Sequence, residues 1–472
     1  MSEVAPKARL KRCRNQWSKA DGDGDRLRDE QRYEKHWTVA QSLRFAWARG
    51  HGTNESMRIS EYLYVMTDLG KATVRSRVGK MASRIIPNLD ERAWRKTRVE
   101  LAAHWRRDGA GLSGVPRQSS LPMGGPVSSR PVHIVVVPMD GPTHESWKPA
   151  GGNFFYEIQQ AAREFAPDAE ISIFSVEPGE QPSSWHRRLA HYLIEMGATH
   201  LVAQVETDPE RAGTWTWDVL WADLAEQWDG VLLGVMFDSA FRLITLQSRE
   251  LARISDRFVL VDICMPMDGV LKKGRTEVGP VNMPISNETL AVIDECIHGL
   301  PKIHDVSFIG ALYPYRVELL DQVRAHGANV AVNPHRVDVA TDFESSRTAQ
   351  PTYLDYMTGI AQSRMTINFS ESSAGLVQQL KTRILEAACV GTLVLTDDVD
   401  RTSRFWDESE YGFFASPQEL PSVVERLLAD PVALDAAALR GRARARLINV
   451  SSFWGGIDSG LAARKLRGIT TL

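Results

Sequence analysis

The sequence has few cysteines, and their arrangement suggests neither a bridge nor a metal site. The four cysteines among 472 residues are Cys13, Cys264, Cys296 and Cys389, and none belongs to a Cys-x-x-Cys motif. Irregular spacing of this kind argues against a disulfide framework and against a zinc site. We therefore expect reduced thiols in a cytosolic protein.

Long apolar runs are also missing. No stretch reaches the roughly 18 apolar residues that suggest a membrane-spanning helix, and the charged N-terminus is not followed by the apolar segment of a secretory signal. The composition, 43% hydrophobic and 24% charged, is typical of a soluble globular protein. A cytoplasmic location is expected, and the length suggests roughly two to four domains.

The charges are spread unevenly along the chain. Residues 1–130 contain 26 Lys+Arg and 14 Asp+Glu, whereas the remainder contains 30 and 45. This asymmetry predicts an anionic partner for the N-terminal part: membrane lipid, nucleic acid or the acidic body of the protein itself. Residues 61–86 have helical apolar spacing with basic residues between, which fits a helix on an anionic membrane surface, at the inner face of the membrane. A surface helix packed on its own domain fits equally well.

Composition divides the chain into four parts. Residues 1–108 predict a basic, mainly helical region, and residues 109–131 are a linker rich in Gly, Pro and Ser. Residues 132–300 and 301–472 each alternate short β-branched apolar runs with helical stretches, beginning with VHIVVV at 132–137. This alternation predicts an α/β protein with two tandem Rossmann-like domains and an extra N-terminal helical region. Ligands are expected where the carboxyl ends of the two parallel sheets face each other.

Two segments of the last part carry residues suited to phosphate and ribose. Within SFIGALYPYR (307–316) a strand ends at Gly310 and a helix begins near Pro314, so that Arg316 would add positive charge to a helix N-terminus. A simple turn and a surface charge are the alternative. In the second segment (364–398) a helix is predicted over Gly375–Cys389, with a possible nucleoside diphosphate site formed by Lys381, Arg383 and Glu386. Ordinary surface charge pairing is the alternative there.

The segment QLKTRILEAACVGTLVLTDDVDRTSRFWDESEYGFFASPQEL, residues 379–420, resembles the C-terminal domain of GT-B glycosyltransferases, most closely the CgeB-like, spore-maturation-type group. The segments FIGALYPYR and INFS fit the same group, and the resemblance covers about residues 305–430. It implies a hexosyltransferase-like enzyme that uses a nucleotide-sugar donor and needs no separate cofactor. Residues 132–300 would then form the acceptor-side domain and residues 301–472 the donor domain.

The resemblance also implies roles for individual residues. Glu386 would bind the donor ribose, and Arg383 and Lys381 would lie near the diphosphate. The loop residues Gly310 and Tyr313 would contribute, together with Arg316. Many retaining GT-B enzymes carry a glutamate eight positions before the ribose-binding one; this chain has Gln378 there, which leaves the stereochemical outcome open.

A metal is not expected. Asp397-Asp-Val-Asp400 looks like the Asp-x-Asp motif of metal-dependent transferases of another fold. GT-B enzymes generally stabilise the departing diphosphate with cationic side chains and helix N-termini instead. The expected partners are a nucleotide-sugar donor and a hydroxyl acceptor on a glycan, a lipid or a small molecule, with no nucleic acid.

An inverting transferase needs a general base on the acceptor side. Asp140 and His144 follow the first predicted strand, and Asp238 follows the strand GVLLGVMF; a turn residue, a solvated histidine and a helix N-cap are their respective alternatives. Gly151-Gly152-Asn153 could let the backbone approach a ligand. Four tryptophans, which fit a packed core better than sugar stacking, are Trp215, Trp217, Trp221 and Trp228.

Two other functions remain open from the sequence. A nucleotide-sugar epimerase can use the same two-domain fold and would turn over donor without acceptor. A non-catalytic scaffold could bind a partner through the basic N-terminal region, although the presence of Glu386, Lys381 and Arg383 argues against lost activity.

Overall fold

A computed structural model describes the fold at residues 95–96, 98–109, 112, 130–138, 146–177, 179–205, 216–236, 242–263, 277–279, 281–334, 352–371 and 379–470. The chain divides into two units, Met1–Val99 and Glu100–Leu472. In the first unit, the described residues 95–96 and 98–99 are helical. The basic segment 61–86 lies outside the described residues.

The second unit contains two α/β domains. The elements of the first are β1 (His133–Val137), α1 (Phe154–Phe165), β2 (Glu170–Ile173), α2 (Pro182–Glu195), β3 (His200–Gln204), α3 (Thr216–Gln227), β4 (Val231–Met236), α4 (Arg242–Ile254), β5 (Phe258–Asp262), β6 (Glu277–Val278) and α5 (Asn287–Ile297). The strands pair in parallel in the order β2-β1-β3-β4-β5-β6. Helices cover both faces of this sheet, so β1, β4 and β5 are buried along their whole length.

Three of the four clustered tryptophans belong to this core. Trp217, Trp221 and Trp228 are each at most 2% exposed. The indole N–H of Trp221 donates to Leu251 O, and that of Trp228 donates to Ala198 O, which satisfies both polar groups inside the core. The prediction of a packed core is confirmed for these three residues, and Trp215 lies outside the described residues.

The second α/β domain repeats the plan. Its elements are β7 (His304–Phe308), α6 (Pro314–Ala325), β8 (Val330–Val332), α7 (Tyr353–Ala361), β9 (Ser363–Asn368), α8 (Arg383–Cys389), β10 (Leu393–Thr396), β11 (Gly412–Phe413) and α9 (Leu420–Ala429). The strands are parallel, in the order β11-β10-β9-β7-β8. In each sheet the second strand along the chain lies on one side of the first strand, and the third strand lies on the other side. The strand order therefore reverses between β1 and β3 in the first sheet and between β7 and β9 in the second. A crevice for ligands forms at the carboxyl ends of such strand pairs.

The last helices return to the first domain. Helix α10 (Pro431–Val450) packs on α8, and a π-helical turn (Ser451–Gly455) leads into α11 (Gly456–Ala463). Phe453 and Trp454 are fully buried in the core of the first domain. Both Arg442 and Arg446 bind Asp294 of α5, at 2.7–2.9 Å. The two α/β domains are therefore joined by packing and by ion pairs as well as by the chain.

The α/β class with two parallel-sheet domains is confirmed, and the apolar run at 132–137 forms β1 (His133–Val137). The helix predicted over Gly375–Cys389 is shorter than expected: α8 begins only at Arg383, because the chain before it closes the loop after β9, where Gln379 N donates to Ser370 O at 3.0 Å. The pattern gave no indication of α5 or of the two-residue strands β6 and β11. No helix among the described residues is long and apolar enough to cross a membrane.

Candidate functional site

A small pocket, about 20 Å³ in volume, lies between the two α/β domains, and Glu386 is part of its wall. Gly152 and Glu157 of the first domain and Tyr353 and Thr382 of the second line it as well. Glu386 lies in the first turn of α8, and its side chain is 7% exposed. The residue expected to bind ribose therefore faces the cleft between the domains.

Two tyrosine hydroxyls occupy the carboxylate of Glu386. Tyr353 donates to Oε1 at 3.2 Å and Tyr356 donates to Oε2 at 2.6 Å. The two tyrosines are three residues apart on α7, and their rings stack with centroids 5.9 Å apart. Burial raises the pKa of Glu386, while the tyrosine hydrogen bonds and the charge of Arg383 oppose this rise. Each carboxylate oxygen of Glu386 thus accepts a hydrogen bond from one hydroxyl. The two neighbouring hydroxyls of a ribose would bind the carboxylate in the same way.

The tyrosines were not singled out in the sequence. Their only local signal is the i, i+3 spacing of Tyr353 and Tyr356 in the helix that leads directly into β9, which places them on one helical face.

Arg383, the first residue of α8, lies beside the end of β7. Its guanidinium carbon is 5.5 Å from the centre of the Phe308 ring. A Cβ added to Gly310, where φ is +144°, would lie 3.0 Å from Nη2 of Arg383. The glycine therefore provides both the backbone conformation and the space for the guanidinium. Nε of Arg383 is buried and makes no hydrogen bond within the described part of the chain.

Arg316 lies in the first turn of α6 and is 6% exposed. Its Nε donates to the Tyr315 hydroxyl at 2.8 Å, Nη1 to Ala311 O at 3.0 Å and Nη2 to Glu371 O at 2.6 Å. The ring of Tyr313, the N-cap residue of α6, lies 4.7 Å from the guanidinium carbon. Arg316 thus ties the loop after β7 to the loop after β9. Its role in phosphate binding stays a prediction.

The remaining donor-side residue, Lys381, is half-buried in the loop directly before α8. Gln378, the position of the departure from the retaining pattern, lies outside the described residues. Lys381, Arg383 and Glu386 nevertheless come from one short segment at the carboxyl edge of the second sheet, next to Gly310.

The three proposed bases, Asp140, His144 and Asp238, also lie outside the described residues. The glycine segment before α1 is described: Asn153 caps this helix, accepting from Phe155 N at 2.9 Å and from Tyr156 N at 3.2 Å. A Cβ added to Gly152, where φ is +78°, would lie 3.2 Å from Cβ of Tyr353. The glycine segment of the first domain therefore contacts the tyrosine that binds Glu386.

A second carboxylate, Glu157, lines the pocket from the first turns of α1. Oε2 accepts from Ser286 N and Oε1 accepts from the Thr289 hydroxyl, both at 2.6 Å. Burial raises the pKa of Glu157 to about 7, against the opposing effect of these hydrogen bonds. The sequence gave no signal for Glu157, which lies in an ordinary amphipathic helix.

The acidic segment after β10 is engaged by neighbouring donors. Asp397 accepts from the Ser370 hydroxyl, and Asp400 accepts from the Thr402 hydroxyl at 2.7 Å. Burial raises the pKa of Asp400 to about 6. Within the described ranges, no group of three or more His, Cys, Asp or Glu residues is arranged to hold a metal ion.

Two parallel α/β domains that face each other across a pocket, with C-terminal helices returning to the first domain, define the GT-B architecture. Residues 316–448 match the family described as "Glycosyl transferase-like". Over residues 316–448, which span most of the second α/β domain and α10, the chain is therefore glycosyltransferase-like. No curated protein matches the sequence.

Solved structures with a similar course of the chain include sucrose-phosphate synthase from Thermosynechococcus elongatus, at 13% identity, covering 71% of this chain and 98% of that one, with a TM-score of 0.42. HepE from Anabaena in complex with UDP-glucose has 11% identity, coverage of 70% and 99%, and a TM-score of 0.43. A UDP-N-acetylglucosamine 2-epimerase from Listeria monocytogenes has 11% identity, coverage of 71% and 98%, and a TM-score of 0.40. The fold assignment rests on the two sheets themselves.

Proposed function

We propose that the protein transfers a sugar from a nucleotide-sugar donor to a hydroxyl acceptor, with the donor on the second α/β domain and the acceptor on the first. The observation that carries this proposal is the carboxylate of Glu386, which accepts one hydroxyl on each oxygen at the pocket between the domains. A ribose diol needs such a pair of acceptors. When ribose binds, the hydroxyls of Tyr353 and Tyr356 would either move away from Glu386 or share the lone pairs of its carboxylate with the ribose.

The residues around Glu386 support a diphosphate beside the ribose. Arg383 is three residues away on α8, its Nε is buried without a hydrogen bond among the described residues, and Gly310 leaves its guanidinium close to the end of β7. The N-terminus of α6, which begins at Pro314, adds a positive helix dipole. Positive charge that is fixed before the reaction stabilises the diphosphate as it departs, which makes a metal ion unnecessary in this proposal.

The finer assignment to the CgeB-like group rests on the segment 379–420 and on the loop 308–316. We retain it as part of the proposal. In this assignment the sugar is a hexose and the acceptor is a hydroxyl of a glycan, a lipid or a small molecule.

The proposal predicts that one family of nucleotide sugars raises the melting temperature of the purified protein. A ligand at 100 times its Kd stabilises the folded state by about 2.7 kcal/mol, enough for a clear shift. The measurement is a thermal-shift screen with UDP-, GDP-, dTDP- and CMP-sugars, each with Mg²⁺ and with EDTA.

We expect an equal shift with Mg²⁺ and with EDTA. A shift that needs Mg²⁺ would contradict the metal-free mechanism, and no shift with any donor would contradict the donor site. Conversion of the donor into an isomeric nucleotide sugar without acceptor would identify an epimerase instead.

A further inference from the structure

Glu157 and Glu386 reach the same pocket from different domains. Glu157 belongs to α1 and Glu386 to α8, and both carboxyl groups are buried, at 6% and 7% exposure. Tyr353 lies with them in the pocket wall, bound to Glu386 and packed against Gly152. If the donor ribose is held at Glu386, Glu157 is the carboxylate that the opposite domain presents across the pocket.

The hydrogen bonds of Glu157 fix the carboxyl group in place and favour its ionised form, against the larger opposing effect of burial. The Thr289 hydroxyl accepts from Ala150 N at 2.8 Å, so its own proton is directed to Oε1 of Glu157. Ser286 N can only donate, and it donates to Oε2. The Ser286 hydroxyl also hydrogen-bonds the carboxylate, so Glu157 accepts three donors in all. Two carboxylate oxygens offer about four lone-pair sites, which leaves one for a further proton.

A helix cap alone does not account for this arrangement. Glu164 lies seven residues further along α1 and accepts from Asn287 N at 2.7 Å, at the same helix start that Glu157 supports. Glu164 is not among the residues of the pocket wall. Both glutamates accept hydrogen bonds from backbone N–H groups at the start of α5, but only Glu157 also lines the pocket. Glu164 therefore provides a matched control.

We infer that Glu157 is the general base that takes the proton from the acceptor hydroxyl during transfer. This inference rests on the proposed function. The acceptor O–H proton moves to the Glu157 carboxylate, and the acceptor oxygen forms a bond to the anomeric carbon. The bond from that carbon to the diphosphate breaks, and its electron pair leaves on the diphosphate. No group is oxidised or reduced.

The surroundings of Glu157 suit proton transfer near neutral pH. The pKa of its carboxyl group is raised to about 7 by burial, within the range in which a general base is most effective. Other titratable groups around it are Tyr156 and Glu164 on α1, Glu288 on α5, Tyr353 on α7 and Glu386 on α8. Of these groups, the Glu164 carboxylate disfavours a second negative charge and so acts in the same direction as burial.

The test compares Glu157→Gln with Glu164→Gln, using the nucleotide sugar that gives the largest thermal shift and water as the acceptor. Calorimetry measures donor affinity, and release of nucleoside diphosphate gives the hydrolysis rate from pH 5 to 9. We expect Glu157→Gln to bind donor as the unchanged protein does but to lose at least about 100-fold in rate. Glu164→Gln should keep both the affinity and the rate.

The pH profile separates a base from a structural residue. The unchanged enzyme should lose activity as the pH falls through about 7, since the base becomes protonated. Thr289→Val removes one hydrogen bond to the ionised carboxylate and should move this midpoint to higher pH. A rate that stays flat from pH 5 to 8 in the unchanged enzyme would overturn the inference, even if neither variant folds. An unchanged rate in Glu157→Gln would also overturn it, whereas absent donor binding in the unchanged protein would overturn the proposed function instead.

Discussion

Replacing Glu386 by alanine is expected to weaken binding of the donor nucleotide by about 100-fold or more. The substitution removes two charge-assisted hydrogen bonds to the ribose, each worth about 1.5–3 kcal/mol, and about 2.7 kcal/mol already corresponds to 100-fold in Kd. Calorimetry with the matching nucleoside diphosphate measures the change directly. Glu386→Gln keeps the volume and one good acceptor, so its loss should be smaller.

Glu425→Ala is the control, because this glutamate is exposed on α9 of the same domain and does not line the pocket. Its affinity should equal that of the unchanged protein. Equal affinity in Glu386→Ala, with the fold retained, would rule out Glu386 as the ribose-binding residue.

Replacing Arg316 by methionine is expected to lower the free energy of unfolding by about 3 kcal/mol. The side chain is 6% exposed, and its three donors serve the carbonyls of Ala311 and Glu371 and the hydroxyl of Tyr315. Methionine leaves Ala311 O and the Tyr315 hydroxyl without this donor, and Glu371 O keeps only the Tyr315 hydroxyl, at 3.4 Å. Each stranded buried acceptor costs about 1–3 kcal/mol. Urea unfolding measures the change.

Arg324→Met on the same helix is the matched control. Arg324 is exposed; it pairs with Asp321 three residues earlier and makes one long hydrogen bond, 3.5 Å, to Val330 O. Its loss should therefore change stability by no more than about 0.5 kcal/mol. If Arg316 binds phosphate rather than ordering the loops, Arg316→Met would instead retain its stability and lose donor affinity.

Much of the fold could be predicted from sequence because parallel strands buried on both faces leave a clear pattern. Runs such as VHIVVV alternate with amphipathic helices, and each unit of strand and helix is local in the chain. The start of α8 could not be predicted in this way. Its apolar spacing continues backwards through Leu380, but a hydrogen bond between Gln379 and Ser370 holds that part of the chain as a loop.

The candidate site also has a part that local sequence could predict and a part that it could not. The proximity of Gly310 and Arg383 could be predicted from the sequence, because Gly310 follows the end of a strand and Arg383 lies near the start of a helix at the same sheet edge. The roles of Tyr353 and Tyr356 arise only when α7 packs beside α8, and that of Glu157 only when the first domain closes against the second. Contacts between distant parts of the chain leave no periodic signal in a single sequence.

A crystal structure with the nucleoside diphosphate of the preferred donor is the most direct test of the donor site. The account predicts both ribose hydroxyls within hydrogen-bond distance of the Glu386 carboxylate and the diphosphate beside Arg383 and Gly310. A nucleotide bound elsewhere, with Tyr353 and Tyr356 still bound to Glu386, would contradict it.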